Sequence, residues 1–324
     1  MEGVQSVCPL QTTHFFMTNK PFIEKLYSKP YLFRRIITLN ITEFQMLVRK
    51  LESEWGKREY ERLVRRKERV NKVGQGRKYE LGVFANLLLA TLVYLRTTLG
   101  YELLGFLFDV DPTTMGRVVR RVTPLLQDRF IPKIELTKKK RRSNDLDEFL
   151  KEYPELKDVI FDGTELPTHR PKRRQKQQYS GKKKRHTKKI QVALDKNTKL
   201  IIGLSPPVKG KMHDKKQLEK TGWDEKLPGH INRYGDVGYE GMPVETWQTP
   251  HKKPKGKQLT KQQKRQNRKF SKERIIVEHG IRGMKIFRRI GETIRTQSDE
   301  VLFTALLATA NLYNFKRLVR QGIR

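Results

Sequence analysis

The stretch Val159-Ile160-Phe161-Asp162-Gly163 is where this sequence changes character. It is short and apolar, ends in an acid and a glycine, and reads as a buried strand over 159–163. Working outward from it toward the C-terminus, residues 188–194 alternate through Ile190, Val192 and Leu194, and 200–204 form another apolar run. Asp195-Lys196-Asn197 lies between them with turn chemistry, so the two runs read as a hairpin. A helix is expected over 213–221, and a strand over 231–237 that again carries an acid near its end. Residues 252–269 hold nine basic residues and no acid and read as a low-complexity loop. A long helix is expected over 270–287 and an amphipathic one over 298–320.

Outward in the other direction the periodicity is helical. Residues 42–55 place Phe44, Leu47, Val48 and Leu51 at helical spacing, with Thr42 and Gln45 set as a capping box. A basic stretch over 57–78, interrupted by Gly74 and Gly76, leads to an apolar helix over about 82–96. A short helix at 101–108 and a tight turn at 109–111 follow. Asp111-Pro112 then starts a further helix, with a capping acid and a proline at the first position. Met115, Val118, Val119 and Val122 share one face of it, and Thr114, Arg117 and Arg121 another. Pro124 ends it near Thr123. Two helices joined by a short turn suit a helix-turn-helix reading a major groove. They equally suit a helical hairpin with a solvated basic face. The segment 136–147 is poor in apolar residues and reads as an exposed basic linker.

The charge narrows the partners. The 324 residues carry 70 Lys and Arg against 35 Asp and Glu, a net +35. Basic residues lie throughout the chain, and so positive a protein calls for a polyanion, nucleic acid being the commonest. Cys8 is the only cysteine, which excludes an internal disulfide and paired-cysteine zinc fingers. The apolar runs at 83–95 and 301–315 fall short of the roughly 20 residues that cross a bilayer. With no signal-peptide pattern at the start, a soluble intracellular protein is expected.

Three acids stand out by position. Asp162 ends the first strand, Asp236 a later one, and Glu278 lies mid-helix in Arg274-Ile275-Ile276-Val277-Glu278-His279. On that helix Phe270, Val277, Ile281 and Met284 form an apolar stripe, with Glu278 on its flank beside Arg274, Arg282 and Lys285. Two strand-end acids and a helix acid suit a pair of hard cations, which can bind the attacking and leaving oxygens of a phosphodiester. Each acid alone also reads as a strand-end cap or a surface ion pair. His213 beside Asp214 has no partner at zinc-ligand spacing, and Ser180 lacks the spacing of a phosphate loop. Trp223 and Trp247 read as core or as base-stacking rings.

Several strings carry a resemblance. Asp162-Gly163-Thr164-Glu165, Tyr179-Ser180-Gly181-Lys182-Lys183-Lys184-Arg185-His186-Thr187, His213-Asp214, Gly235-Asp236-Val237-Gly238-Tyr239 and Val277-Glu278-His279 closely resemble the DDE superfamily endonucleases. The likeness is to bacterial transposases of the insertion-sequence-five kind, relatives of the eukaryotic Harbinger transposases. It implies an α/β, RNase H-like catalytic domain over 151–324, a mixed central sheet with helices on both faces. An all-α DNA-binding region over 1–135, with its helix-turn-helix at about 81–127, precedes it, and 136–150 link the two.

By the same resemblance Asp162, Asp236 and Glu278 are the catalytic, metal-binding triad, holding Mg2+ or Mn2+, two ions being expected. Glu165, His186 and His213 are implied as groups that position the acids or the DNA. Lys182, Lys183, Lys184, Arg185 and His186 are implied to grip phosphates beside the site. Thr114, Arg117, Arg121, Arg274, Arg282 and Lys285 complete the expected DNA contacts. The activity implied is that of a DNA transposase, a homodimer or higher oligomer on DNA, cytoplasmic and nucleoid-associated in a bacterial host. A transposase-derived DNA-binding protein and a nuclease without strand transfer are the rival readings. The sequence departs from the family in the basic segment 252–269, expected to contact DNA, and at Gly283, where a bulkier or basic residue is common.

Overall fold

A computed structural model describes residues 21–65, 72, 75–76, 78–127, 156–173, 175–222, 227–242, 245–296 and 298–322. Cys8, Trp223 and the proposed linker over 136–150 lie outside them. The chain divides into two compact units, Met1–Tyr94 with Leu99–Val122, and Leu95–Thr98 with Thr123–Arg324. Among the described residues no helix is long and apolar enough to cross a membrane.

The first unit is helical. It comprises α1 (Pro21–Tyr27), α2 (Pro30–Ile37), α3 (Ile41–Val64), α4 (Phe84–Arg96), α5 (Tyr101–Phe108) and α6 (Pro112–Val122). The cap of α3 falls earlier than the spacing predicts. Asn40 Oδ1 accepts from the Glu43 N–H at 2.7 Å and Glu43 accepts from the Asn40 N–H at 2.9 Å, a reciprocal box two residues before Thr42. α3 also runs on to Val64, so the first third of the basic stretch is helix. The rings of Tyr27, Phe33 and Phe44 pack at 4.9 and 5.5 Å, and Phe22 meets Phe108 edge-on at 5.1 Å. These contacts fasten α1–α3 and α5 into one core.

α5 and α6 form the expected two-helix motif. Asp109 closes α5 in the left-handed region at φ 51, and Asp111 Oδ1 accepts the Thr113 N–H at 2.7 Å to start α6. Gly105 lets the turn fold back: a Cβ there would stand 2.6 Å from the Val110 carbonyl and 3.2 Å from the Pro112 nitrogen. Both obstacles are backbone and cannot rotate away. Gly105→Ala is therefore expected to cost about 1–3 kcal/mol, as overpacking does, and to lower the melting of the first unit, measured by circular dichroism. Unchanged melting would mean that the turn relaxes freely.

The second unit is built on a sheet of seven strands: β1 (Asp158–Pro167), β2 (Tyr179–Ser180), β3 (Arg185–Asp195), β4 (Ile201–Leu204), β5 (Val208–Lys209), β6 (Asn232–Tyr234) and β7 (Trp247–Gln248). β3 pairs antiparallel with β1 on one side and with β4 and β5 as well, whereas β6 and β7 continue beyond β1 in parallel. β1 is twice the length predicted. Gly163 does not end it, because Thr164, Glu165 and Leu166 remain paired with Ile190, Lys189 and Lys188. Asp162 thus lies mid-strand. The β3–β4 hairpin is as expected, its turn held by Asp195, which accepts the Asn197 N–H at 3.0 Å and the Thr198 N–H at 3.2 Å.

Helices cover both faces. α7 (Gln175–Gln178) is a single turn, and α8 (Asp214–Thr221) follows the antiparallel strands. α9 (Lys261–Lys285), α10 (Arg288–Gly291) and α11 (Asp299–Arg320) end the chain. Phe161 and Val159 pack with Leu218 of α8 and with Tyr239 in one core cluster. α11 seals the outer edge of β4, Asn314 accepting the Ile201 N–H at 2.9 Å and donating to its carbonyl at 2.7 Å. The order β4-β3-β1-β6-β7, with its first three strands antiparallel and the last two parallel to β1, is the RNase H-like arrangement the resemblance implies.

The basic segment 252–269 is not one loop. α9 begins at Lys261, nine residues before the predicted start, with Thr260 and Gln263 in a reciprocal cap at 3.1 and 3.0 Å. Lysine, glutamine and arginine are good helix formers, so composition that looks like low complexity continues the helix. Gly283 also finds its reason. The ring of Tyr313 on α11 lies against its Cα, leaving no room for a side chain.

Candidate active site

β1 sets the direction of the first acid. Side chains alternate along a strand, so Asp162, Thr164 and Leu166 share one face of the sheet and Phe161 and Gly163 the other. Phe161 packs toward α8, which leaves Asp162 on the α9 side. There Arg274 reaches Asp162 Oδ1 at 3.5 Å, and Lys285 donates to Thr164 Oγ1 at 2.6 Å and to the Glu165 carbonyl at 2.9 Å. Glu278 stands on α9 between these two anchors, one turn beyond Arg274 and two before Lys285. Its carboxylate is exposed and, among the described residues, makes no hydrogen bond or ion pair.

Sheet register sets the second acid. β6 runs parallel to β1 with Tyr234 opposite Ile160, so two residues further on Asp236 comes level with Asp162. Asp236 caps the 3-10 turn Val237–Tyr239, accepting the Gly238 N–H at 2.8 Å. Gly235 is required for this bend: a Cβ would stand 2.6 Å from the Tyr239 ring and 2.8 Å from Trp247. Tyr239 and Trp247 stack at 5.2 Å, so Trp247 packs in the core rather than offering a face to bases.

A fourth carboxylate, which its position along the chain does not mark, comes to the same strands. Asp214, the first residue of α8, pairs with Lys189 at 2.9 Å and abuts Gly163 so closely that a Cβ there would fall inside its carboxylate. Below it, buried Gln191 donates to the Asp214 carbonyl at 2.8 Å and to the Tyr239 hydroxyl at 3.0 Å. These groups fix Asp214 on the α8 face, across the strand from Glu278. Burial pushes the Asp162 carboxyl up to about 6. Asp236 and Asp214 push it the same way and Arg274 opposes them.

The remaining predicted residues divide. Lys182, Lys183 and Lys184 form the exposed β2–β3 turn, followed by exposed Arg185 and by His186 against the Tyr179 ring at 5.6 Å. This turn lies close enough to the site that Lys183 helps burial to lower the pKa of Lys285. Glu165 accepts from Thr187 Oγ1 at 2.9 Å on the face away from Asp162, and His213 precedes α8 without a side-chain capping bond. Arg282 is exposed on α9.

The sequence segments that build this geometry coincide with known families. Residues 161–314 match the family described as DDE superfamily endonuclease, and 80–132 match the helix-turn-helix of DDE superfamily endonuclease. The chain belongs to the DDE superfamily endonucleases. It is 37% identical over 160 residues to a probable transposase for insertion sequence element IS702 of Microchaete diplosiphon, across 49% of this chain and 56% of that protein. It is 27% identical over 254 residues to a putative transposase for insertion sequence element IS112 of Streptomyces albus G, across 78% of this chain and 87% of that protein. A pre-cleavage Mos1 transpososome structure aligns over 94% of this chain and 97% of its own at 13% identity. Its TM-score of 0.21 has no bearing on the fold.

Endonucleases of this superfamily depend in general on divalent metal, and the donor set here fits one. Asp162, Asp236 and Glu278 offer only carboxylate oxygens, the ligands of hard cations. Burial, which raises the Asp162 carboxyl, disfavours its ionised form, and a bound dication would favour it. Glu278 keeps its oxygens uncommitted. Among the described residues no group of three acids, histidines or cysteines stands at metal-holding distance.

In the helix-turn-helix the outward residues differ from those expected. Arg117 and Arg120 are exposed, and Thr113 with them, whereas Thr114 is half-buried. Arg121 donates to the Tyr79 hydroxyl at 3.1 Å, and that tyrosine is itself bound to Glu59, so Arg121 is turned back into its own unit. The spacing placed Arg121 beside Arg117. The partner that draws it inward lies 42 residues away and leaves no local signal.

Proposed function

We propose that the chain is a DNA transposase of the insertion-sequence-five kind, in which Asp162, Asp236 and Glu278 hold Mg2+ or Mn2+, as two ions, for cleavage and strand transfer. One observation carries the reading: register brings Asp236 level with Asp162, and Arg274 and Lys285 pin the stretch of α9 that bears Glu278 over them. The named relatives and the endonuclease family support it. Residues 151–324 then cut and join, while 1–135 find the DNA, with 136–150 between them. The site works in the cytoplasm on nucleoid DNA of a bacterial host, as a dimer or larger because two ends meet one target.

When bound, the metal lowers the pKa of a water or hydroxyl and neutralises charge on the scissile phosphate. The chain's residues do the rest. Asp162 on β1 and Asp236 just beyond β6 fix the spacing of the oxygens that would hold the metal beside the reacting phosphate. Arg274 and Lys285 hold α9 in place, and Lys183 with its turn neighbours offers positive charge to the strand beside the cut. Water attack at the element's end would free a 3′-hydroxyl, which attacks target phosphorus in line. A pre-cleaved end incubated with plasmid and Mg2+ is expected to give joined product. Hydrolysis alone would favour a nuclease without strand transfer.

Recognition falls to α6. Arg117→Ala and Arg120→Ala are each expected to weaken binding to the element's ends by about 1–3 kcal/mol more than to random duplex, where the arginine reaches a base edge. Equal losses on both DNAs would make these backbone contacts. Arg121→Ala should instead lower the melting of the first unit.

A further inference from the structure

The first turns of α9 carry a charge pattern that the catalytic site does not use. Lys261, Lys264, Arg265, Arg268, Lys269 and Lys272 are all exposed and recur at three- and four-residue spacing, so they form a single stripe. The opposite face holds Gln263, Asn267, Phe270, Arg274 and Val277. Phe270 meets the Tyr234 ring at 6.0 Å and Val277 is fully buried. The helix is thus seated on its unit by one face and cationic along the other. Followed toward its C-terminus, the outward face continues through His279 and Arg282, both exposed, alongside Glu278.

This pattern works against the helix that bears it. Positive side chains at a helix N-terminus oppose the macrodipole, and like charges four residues apart repel. Here Lys261 and Arg265, Lys264 and Arg268, Arg265 and Lys269, and Arg268 and Lys272 are four such pairs, with no acid before Glu273. The helix is nevertheless held in shape from its packed side. Asn267 Oδ1 accepts the His251 N–H at 2.8 Å, its Nδ2 donates to the His251 carbonyl at 2.9 Å, and the His251 ring meets Gln266 at 2.7 Å. The approach segment 249–260 is thereby strapped along α9, and Lys253, Lys255 and Lys257 lie exposed on it.

We infer that the outward stripe of α9, Lys261 to Lys272, is a preformed track for the backbone of duplex DNA that leads the strand to Glu278. This rests on the transposase reading and deepens it. The track is a fixed helix, where the sequence alone suggested a loop. A surface that sacrifices helix stability to line up cations, with the helix clamped from behind, fits a ligand of regularly spaced negative charge. Phosphates in duplex DNA recur over a straight length matching the roughly 16 Å that eleven helical steps cover. Contacts of this kind grip phosphate without reading sequence.

The test is the salt dependence of binding to a random-sequence duplex, followed by fluorescence anisotropy with the full chain. Neutralising Lys264, Arg265, Arg268 and Lys272 to glutamine keeps good helix formers in place. It is expected to flatten the slope of log affinity against log salt by up to about 3.6, at about 0.9 for each phosphate no longer neutralised. A control changes net charge equally by neutralising Lys157, Lys199, Lys216 and Lys220, exposed in the second unit and outside both α9 and the β2–β3 turn, and should keep the wild-type slope. If the fourfold variant does not fold, Lys264→Gln and Arg268→Gln singly should each lower the slope by about 0.9. A stripe variant on the wild-type line, or equal flattening in stripe and control, overturns the track. Wild-type protein with no salt-dependent affinity for DNA removes the transposase reading itself, a result distinct from either.

Discussion

Asp162→Asn, Asp236→Asn and Glu278→Gln should each lower metal-dependent DNA cleavage by about a thousandfold or more, while binding to the same DNA changes little. A bound metal contributes several kcal/mol to the transition state of a phosphodiester attack, and about 1.4 kcal/mol is a factor of ten in rate. Each substitution keeps side-chain shape and removes one charge from the donor set. The basic surfaces of α9 and of the β2–β3 turn are untouched, so affinity for DNA persists. Cleavage of end-labelled DNA in Mg2+, beside a binding isotherm in Ca2+, measures both. A variant that retains a tenth of wild-type cleavage takes its residue out of the metal set. Asp214→Asn is expected to fall less far, because Lys189 and the α8 face already engage that carboxylate.

The metal-free protein should become more stable, not less, on replacing Asp162 by Asn. In the fold, burial raises that carboxyl from 3.8 to about 6. Below about pH 4 both folded and unfolded chains hold the proton and stability is unaffected. As pH rises toward 6 the unfolded chain releases its proton first, so stability falls, and above 6 the deficit is constant. The displacement corresponds to at most about 3 kcal/mol, at about 1.4 kcal/mol per pKa unit. At pH 7.5 in EDTA, Asp162→Asn should therefore melt several degrees above wild type, and the gap should close below pH 4. Adding Mg2+ should raise wild type and leave the variant unmoved. A variant that melts at or below wild type at pH 7.5 without metal would show that the strand tolerates the ionised acid.

How much was legible beforehand depended on whether the signal was local. Asp111-Pro112 marked the start of α6, and the alternation of Ile190, Val192 and Leu194 marked β3, because capping and pleating are properties of neighbours in sequence. β1 was cut short at Gly163, since the glycine that reads as a strand end is there to admit Asp214, a residue of another element. The same rule of capping succeeded and failed by register. Thr42 with Gln45 has the spacing of a box, yet Asn40 with Glu43 forms it, and the Thr260–Gln263 box at the head of α9 is hidden inside a run of lysines. Among the site residues, Asp162, Asp236 and Glu278 stood out by order along the chain. Asp214 did not, because its place is set by Lys189, Gln191 and Tyr239, all distant in sequence. Arg121 was misplaced for a like reason, its hydrogen bond to Tyr79 being a tertiary one.

β1, the end of β6 and α9 are proposed to bring three carboxylates to one divalent metal site. Crystals of the full chain grown with Mn2+ and DNA, measured at the manganese absorption edge, address it directly. Anomalous density is expected between Asp162 and Asp236, with Glu278 turned in from its exposed position to bonding distance. Manganese bound elsewhere, or at the two aspartates with Glu278 still directed to solvent, would contradict it.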